Sequence, residues 1–438
     1  MTVRVLLVYP GLDFEIAYPL GLAYVAAALR GAGHEITGYD AGLDGMSGLS
    51  DAIARARPEV IGLAVWSPNR RQAAEAAAIA RSSGARLLIG GPHVTVDPLG
   101  ALAELGADAA VFGEGEATTP ALLAAWASGA DPLLPGVALS DGRRGPKRAP
   151  AKDLDALPLA DREVFDPKRY PHTWAKAAPR AASLVTSRGC PRACAHCPAP
   201  TLYKGRWRAR APAAVAAEAL ALKAMGFGHL LIEDEHPTVD RRRWLAVCAA
   251  LGETGLSWSC PNGLRPETLD REVLAAMAAG GCTRFALGIE TIDAARLKKL
   301  GRHADIEQPR RVVAWAREVG IDVTAYFMMG LPSETSGVPL RLLREATRLG
   351  VTGAHFSLFE PLPGSRLADA PPAPAWLKGA RTGLYAGFYA HPGRLLAALR
   401  ASGAGPADIP AALTRLRGWL RYGKRHAGLK RRGVDSAI

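Results

Sequence analysis

The sequence predicts an α/β protein with an N-terminal doubly wound parallel sheet, a partial (β/α)6 barrel and a short helical C-terminal region. Three observations support this prediction. Apolar strand-like runs alternate with helical runs from the first residues onward. Three closely spaced cysteines follow one of these strands, and charged residues follow the later strands. We place the doubly wound domain at 1–135, a linker at 136–178, the barrel at 179–366 and the helical region at 367–438.

The composition is that of a globular protein with more than one domain. The chain has 438 residues, and 49% of them are hydrophobic. No apolar run is long enough to cross a bilayer, and the N-terminus enters a strand without a signal-peptide cleavage pattern. With six cysteines, three of them clustered, a reducing environment is favoured, so we expect a cytoplasmic protein.

The N-terminal third shows the strand and helix alternation of a doubly wound sheet. Strands are predicted at 3–9, 35–39, 60–65, 86–89 and 109–112. Helices are predicted between them, at 19–30, 49–57, 71–82 and 99–105. Ligands of such sheets bind at the carboxyl ends of the strands. Gly90, Gly91 and Gly113 occupy such ends, where a missing Cβ lets a ligand approach the backbone. The first turn lacks G-x-G-x-x-G, so a nicotinamide cofactor is not expected.

Cys190, Cys194 and Cys197 form a C-x3-C-x2-C array after the apolar run 182–186. Three thiolates on one loop can hold three irons of a 4Fe–4S cluster and leave the fourth iron open. A structural zinc site would need a fourth ligand, and His196 could be offered. However, His196 lies between Cys194 and Cys197 in the sequence, so its ring is poorly placed to coordinate the same metal ion as both cysteines. A disulfide is disfavoured because three cysteines are an odd number.

The cysteine loop resembles that of the radical S-adenosylmethionine (SAM) enzymes, in which SAM chelates the open iron. That family usually carries an aromatic residue before the last cysteine, where this chain has His196. The stretches 19–22, 90–95 and 112–116 resemble the cobalamin-binding domain that precedes the barrel in one class of these enzymes. The resemblance implies three cofactors: a 4Fe–4S cluster, SAM and cobalamin. The loop 10–19 contains no histidine, which implies base-off cobalamin without a protein imidazole on cobalt.

The same resemblance implies which residues bind the cobalamin. Its nucleotide tail would pass along Gly90 and Gly91, near the Gly113–Glu114 turn. At the end of the strand 60–65, a further group would meet the lower face of the corrin: Trp66, Ser67 and Asn69. Trp66 has an alternative interpretation as an aromatic residue that caps the core.

The second β/α repeat predicts the partial barrel, with chemistry at the carboxyl ends of its strands. Helices are predicted at 213–225, 267–279, 308–319 and 340–349, and six strands at 183–186, 229–233, 256–260, 284–289, 322–329 and 354–359. By resemblance, SAM is contacted by Glu233, Asp234, Glu235 and Glu290, with Met329 and Gly330 beside the adenosine. For Glu334 we prefer the role of a helix N-terminal acid. The core or strand ends should hold Cys248, Cys260 and Cys282.

The resemblance implies an enzyme that methylates an unactivated carbon of a small molecule or natural product. An external electron donor such as flavodoxin or ferredoxin would serve it. Two alternatives are a non-methylating radical rearrangement or oxidation, and a cobalamin-binding sensor without catalysis. The intact cysteine triad and the charged strand ends argue against the sensor.

The net charge of +13 invites a nucleic-acid interpretation. Much of the excess lies at 415–432, which carries eight Lys or Arg and no acid, and no nucleic-acid motif accompanies it. We therefore expect no specific nucleic-acid partner. The apolar edge formed by Leu413, Leu416 and Leu420 could lie on the barrel or on a membrane surface, and we favour the barrel.

Overall fold

The computed structural model describes residues 1–12, 16–170, 174 and 180–391. Its first sheet has six strands: β1 (Arg4–Tyr9), β2 (Glu35–Asp40), β3 (Val60–Ala64), β4 (Arg86–Gly90), β5 (Ala109–Val111) and β6 (Val137–Leu139). The spatial order is β2-β1-β3-β4-β5-β6, and only β6 runs antiparallel to its neighbour. Strand β2 is therefore added on one side of β1, and β3 and the later strands on the other. The switch point between β1 and β3 is where doubly wound folds bind ligands.

Seven helices cover this sheet: α1 (Leu20–Gly31), α2 (Ala41–Asp44), α3 (Leu49–Ala56), α4 (Arg70–Arg81), α5 (Pro92–Val96), α6 (Pro98–Leu105) and α7 (Gly115–Ser128). One face of the sheet packs on α3, α4 and α6, and the other on α1 and α7. All five residues of β3 are buried, as expected for a central strand covered on both faces.

The strands that follow are β7 (Ala181–Leu184), β8 (Ser187–Arg188), β9 (Arg208–Ala209), β10 (His229–Ile232), β11 (Ser257–Leu264), β12 (Cys282–Glu290), β13 (Asp322–Met329) and β14 (Gly353–Leu358). β8 and β9 form a small antiparallel pair of their own. The other six strands form the barrel sheet in the order β14-β13-β12-β11-β10-β7, and all six are parallel. Six parallel strands confirm the predicted partial barrel.

The remaining helices are α8 (Ala199–Tyr203), α9 (Pro212–Ala224), α10 (Arg241–Thr254), α11 (Arg271–Ala279), α12 (Ala294–Lys299), α13 (Gln308–Glu318), α14 (Val338–Leu349) and α15 (Trp376–Tyr389). We expected α11 to start at 267, but residues 266–268 form a separate 3-10 turn. The side chain of Asp270 then caps α11 by accepting from the backbone N–H of Val273 at 2.8 Å.

The prediction that 136–178 wraps without folding is wrong at its start. Residues 137–139 form β6, which pairs with β5 and completes the first sheet. The N-terminal domain therefore extends beyond residue 135. Further along, Trp174 packs edge-on against Tyr326 with ring centroids 6.5 Å apart, so this part of the segment contacts the barrel.

Two sequence predictions concern other parts of the chain. The buried thiols of Cys248, Cys260 and Cys282 confirm a core placement. The basic stretch 415–432 and its leucine edge lie outside the described residues. None of the helices in the described parts of the chain is both long and apolar enough to span a membrane.

Candidate functional site

The three cysteines lie on the loop between β8 and α8. Cys194 is buried, and Cys190 and Cys197 are half-buried. The loop is fixed by a hydrogen bond of 2.9 Å from the backbone N–H of Ala195 to the carbonyl of Leu300. Among the described residues, no three His, Cys, Asp or Glu side chains are grouped to hold a single metal ion. Each iron of a cubane takes its own thiolate, so three spaced thiols on one loop fit a cluster.

The acidic residues after β10 hold this loop in place. Asp234 is buried and accepts from the backbone N–H of Thr186 at 2.6 Å, and from the hydroxyls of Thr186 and Ser187. Glu235 accepts from the backbone N–H of Gly189 at 2.9 Å and from the hydroxyl of Tyr203. Their contact with SAM stays a prediction. Their oxygens already bond the chain that leads into the first cysteine, which is a positioning role.

Burial has the same effect on the Cys197 thiol and on the Asp234 carboxyl, because it disfavours the anionic form of each. Desolvation raises the pKa of the Cys197 thiol to about 11 and that of the Asp234 carboxyl to about 6. The bonds from Ser187 and Thr186 act in the opposite direction on Asp234. Burial therefore favours the neutral thiol of Cys197 until metal binding displaces its proton.

Glu290 ends β12 in a left-handed conformation, with φ of 64°, which is uncommon for a residue other than glycine. Its carboxylate lies 3.2 Å from the guanidinium of Arg302, which also donates to the carbonyl of Gly288. His196 lies close enough for the charge of Glu290 to act on its ring, although burial is the main cause of its lowered pKa. A strained carboxylate beside the cysteine loop is typical of a functional position.

Arg265 is a site residue whose role the sequence did not predict. It is 6% exposed, and its guanidinium donates to the sulfur of Cys194 at 3.1 Å. It also bonds Glu267 at 2.5 Å. The strand β11 continues to Leu264 rather than ending at Cys260, and this extension carries Arg265 to the cysteine loop. The Asn262–Arg265 stretch at this strand end was the available signal.

Met329 and Gly330, which were predicted to lie beside the adenosine, are closely packed by the chain itself. Met329 is fully buried in the barrel core. A Cβ on Gly330 would lie 2.3 Å from the Cβ of Ala373, so packed chain occupies the space beside it. Glu334 is not a helix N-terminal acid, because α14 begins only at Val338. Its carboxylate instead accepts from the backbone N–H groups of Gly330 and Leu331.

A cavity of about 630 Å³ lies between the first sheet and the barrel. Its walls come from the carboxyl halves of the parallel strands, the N-terminal parts of α1 and α7, and the start of the barrel. Most of the lining is apolar, including Leu7, Leu20, Ile89 and Val111. It also contains Glu233 and Glu235, so a molecule held here would extend from the first domain to the barrel mouth. We call this space the interdomain cavity.

The predicted cobalamin contacts divide into two groups. Trp66 is 43% exposed and lines the interdomain cavity, which disfavours the alternative of a core cap. Asn69 is fully buried, and its side-chain oxygen accepts from the backbone N–H of Trp66 at 2.8 Å. The hydroxyl of Ser67 lies 3.0 Å from Nδ1 of His93. Ser67 and Asn69 therefore shape the turn that presents Trp66.

Gly90, Gly91 and Gly113 all line the interdomain cavity. At Gly91, φ is +114° and a Cβ would lie 2.7 Å from the carbonyl oxygen of Val65, so glycine is required there. No histidine is found among the described residues that line this cavity. The apolar walls and the glycine backbone of this cavity fit a cobalamin, and the absence of a protein imidazole from cobalt stays a prediction.

Charged pairs join the two domains at one side of the cavity. Glu114 bonds Arg208 through both carboxylate oxygens, and Glu116 lies 2.7 Å from Arg188. Burial alone would raise the pKa of Glu114. The hydrogen bond and charge of Arg208, with the charge of Arg188, outweigh it and hold that pKa below its ordinary value. The predicted ligand Glu114 thus fixes the domains to each other.

Comparison with known proteins agrees with this arrangement. Residues 184–353 match the radical SAM superfamily, and residues 14–123 match the B12 binding domain. The chain is 28% identical over 362 residues to the uncharacterized methyltransferase PH0819 of Pyrococcus horikoshii, over 80% of this chain and 77% of that one. It is 26% identical over 414 residues to the cytidylyl-2-hydroxyethylphosphonate methyltransferase of Streptomyces wedmorensis, over 80% and 77%.

A solved structure shows the same fold. The radical SAM methyltransferase TsrM from Kitasatospora setae, with cobalamin and a 4Fe–4S cluster bound, superposes with a TM-score of 0.70 and 21% identity. The match covers 84% of this chain and 77% of TsrM. The barrel and its cysteine loop define a radical SAM enzyme. The domain that precedes them makes the assignment narrower: the chain combines the radical SAM and B12 binding domains of the cobalamin-dependent radical SAM enzymes, and its cofactors are a 4Fe–4S cluster, SAM and cobalamin.

Proposed function

We propose that this enzyme transfers a methyl group to an unactivated carbon of a small molecule. The observation that carries the proposal is the interdomain cavity, because Gly91 of the first domain and Glu233 of the barrel line the same space. When bound, the three cofactors supply a 5′-deoxyadenosyl radical and a transferable methyl group. The two named relatives are both methyltransferases, which supports the same reaction here.

The chain's own residues would hold and orient the reactants. Cys190, Cys194 and Cys197 would bind the cluster, while Asp234 and Glu235 keep their loop in place. For the amino and hydroxyl groups of SAM, we propose Glu233 and Glu290 as the contacts. Both are carboxylates at strand ends, and such groups accept from ammonium and hydroxyl donors.

Cobalamin would enter from the other side of the cavity. Its tail would pass along Gly90, Gly91 and Gly113, with Trp66 facing the corrin. The apolar walls would exclude water from the reacting carbon. The substrate would be a small molecule, as tryptophan is in the TsrM complex. The electrons would come from an external donor, for which flavodoxin or ferredoxin remains our prediction.

The co-products distinguish methylation from the non-methylating alternative. Methylation consumes one SAM as the radical source and another to replenish the methyl group, so 5′-deoxyadenosine and S-adenosylhomocysteine should accumulate together. The measurement is anaerobic incubation of the reconstituted enzyme with reductant, SAM and fractionated cell extract. Substrate-dependent 5′-deoxyadenosine without S-adenosylhomocysteine would identify a rearrangement or oxidation instead. Neither product with any fraction would favour the sensor.

A further inference from the structure

A group of positive charges lies at one rim of the interdomain cavity. Lys147 comes from the segment after β6, and Lys204 and Arg206 come from the turn between α8 and β9. The ammonium of Lys147 donates to the carbonyl of Leu202 at 3.3 Å, which joins the two segments. The three side chains are exposed at this rim, while the walls below them are mostly apolar.

The described residues offer these three charges no acidic partner. Among the residues that the structure describes, none of the three forms an ion pair. The carboxylates that line the same cavity each have another donor, from arginine, tyrosine, serine or backbone: Glu114, Glu116, Glu233 and Glu235. Among the described residues, the rim therefore has an excess of positive charge.

The charges also repel one another. Partial burial lowers the pKa of Lys147, and the neighbouring charges of Lys204, Arg144 and Arg206 lower it further. Holding like charges together costs free energy, and an anion bound between them would recover it. The donors are of two kinds, because a guanidinium can bond two oxygens of one anion while an ammonium acts as a point charge.

We propose that Lys147, Lys204 and Arg206 form a binding site for a phosphate-type anion at the rim of the interdomain cavity. A phosphate group offers several oxygens to these three donors, and the apolar walls accommodate the rest of the molecule. Two ligands present this chemistry. One is the phosphodiester in the nucleotide tail of cobalamin, and the other is a phosphate or phosphonate group of the substrate. The site does not depend on which reaction the enzyme performs.

The test uses the full-length enzyme with Lys147→Gln, Lys204→Gln and Arg206→Gln combined. A matched control removes two lysines and one arginine that are exposed and do not line the cavity, by Lys168→Gln, Arg317→Gln and Lys378→Gln. Iron content and thermal unfolding show whether each variant folds. If the variant with all three rim substitutions, called the rim variant, fails to fold, the single variants Lys204→Gln and Arg206→Gln are measured instead.

Two titrations distinguish the sources of the anion. The first compares hydroxocobalamin with cobinamide, which lacks the nucleotide tail and its phosphate. If the tail is the source, the rim variant binds hydroxocobalamin about tenfold or more weakly at low salt, and cobinamide binding is unchanged. The second titrates inorganic pyrophosphate into the cobalamin-loaded enzyme by calorimetry. If the substrate is the source, the wild type and the control bind pyrophosphate and the rim variant does not.

The proposal is wrong if the rim variant binds hydroxocobalamin as tightly as the control and the loaded wild type does not bind pyrophosphate. It is also wrong if the control variant loses affinity as much as the rim variant, because the effect would then reflect net charge alone. Neither titration requires turnover, so failure of the methylation proposal would leave these results unaffected.

Discussion

The guanidinium of Arg265 donates a hydrogen bond to the sulfur of Cys194 at 3.1 Å, in a site where both side chains are buried. Glu267 bonds the same guanidinium and holds its direction. Hydrogen bonds and positive charges at the sulfurs are among the features that set the potential of an iron–sulfur cluster.

Replacing Arg265 with glutamine should lower the reduction potential of the cluster by on the order of tens of millivolts, because a cation stabilises the more negative reduced state. The measurement is a redox titration followed by electron paramagnetic resonance of the reduced cluster. Arg241→Gln is the control, since Arg241 lies on the surface and pairs with Asp270 and Glu272. An unchanged potential in Arg265→Gln would show that the contact is purely structural.

Gly91→Ala should destabilise the N-terminal domain by about 1–3 kcal/mol, since its Cβ would meet the carbonyl of Val65 in a conformation that favours glycine. Cobalamin binding should weaken as well. Gly90→Ala is the matched control, because its Cβ would be 3.6 Å from the nearest atom, the carbonyl oxygen of Val111. Denaturant unfolding of both variants measures the difference. Equal stability of the two would contradict the close approach at Gly91.

Glu114→Gln should weaken the contact between the domains by about 1–3 kcal/mol at pH 7, because it leaves Arg208 without its charged partner. The pKa of Glu114 is lower in the folded protein, so its stabilisation is complete above the unfolded pKa of about 4.3. It is lost as pH falls through the folded value. The difference between wild type and variant should therefore shrink on acidification.

Denaturant unfolding at several pH values checks this dependence. Glu59→Gln removes an exposed pair with Arg4 and should change stability by less than about 1 kcal/mol. If the Glu114→Gln difference grew as the pH fell, the sign of the pKa shift would be wrong.

Cobalamin should bind without a protein histidine on cobalt. His93 follows Gly91 by two residues, and it is buried with its Nδ1 3.0 Å from the hydroxyl of Ser67. Electron paramagnetic resonance of the cob(II)alamin form should show no nitrogen hyperfine splitting. If splitting appears and survives both His34→Ala and His93→Ala, the base of the nucleotide tail is bound and the base-off interpretation is wrong.

The strands β1 to β5, the six barrel strands and the location of the cysteine loop could be predicted from sequence, because they depend on local hydrophobic periodicity and on residue spacing. The roles of the acidic residues that follow β10 could not be predicted in this way. The strand-end rule correctly placed Glu233, Asp234 and Glu235 at the barrel mouth. Only the three-dimensional structure shows that Asp234 bonds Thr186 while Glu233 reaches the cavity.

Long-range features were the least predictable. β6 is only three residues long and lies in a segment rich in proline and polar residues, so its pairing with β5 leaves little trace in the sequence. Arg265 resembles any charged residue at a strand end until the extension of β11 brings it to Cys194. The cationic rim likewise combines Lys147 with Arg206, which are far apart in the chain.

The central claim is methyl transfer to carbon, and the most direct test follows the methyl group. Reconstituted enzyme is incubated anaerobically with reductant and SAM that carries a trideuterated methyl group, and the products are analysed by mass spectrometry. We predict a product with all three deuterium atoms, and its loss in the Cys190→Ala, Cys194→Ala, Cys197→Ala triple variant. A product that forms without deuterium, or one that the triple variant still labels, would contradict the account.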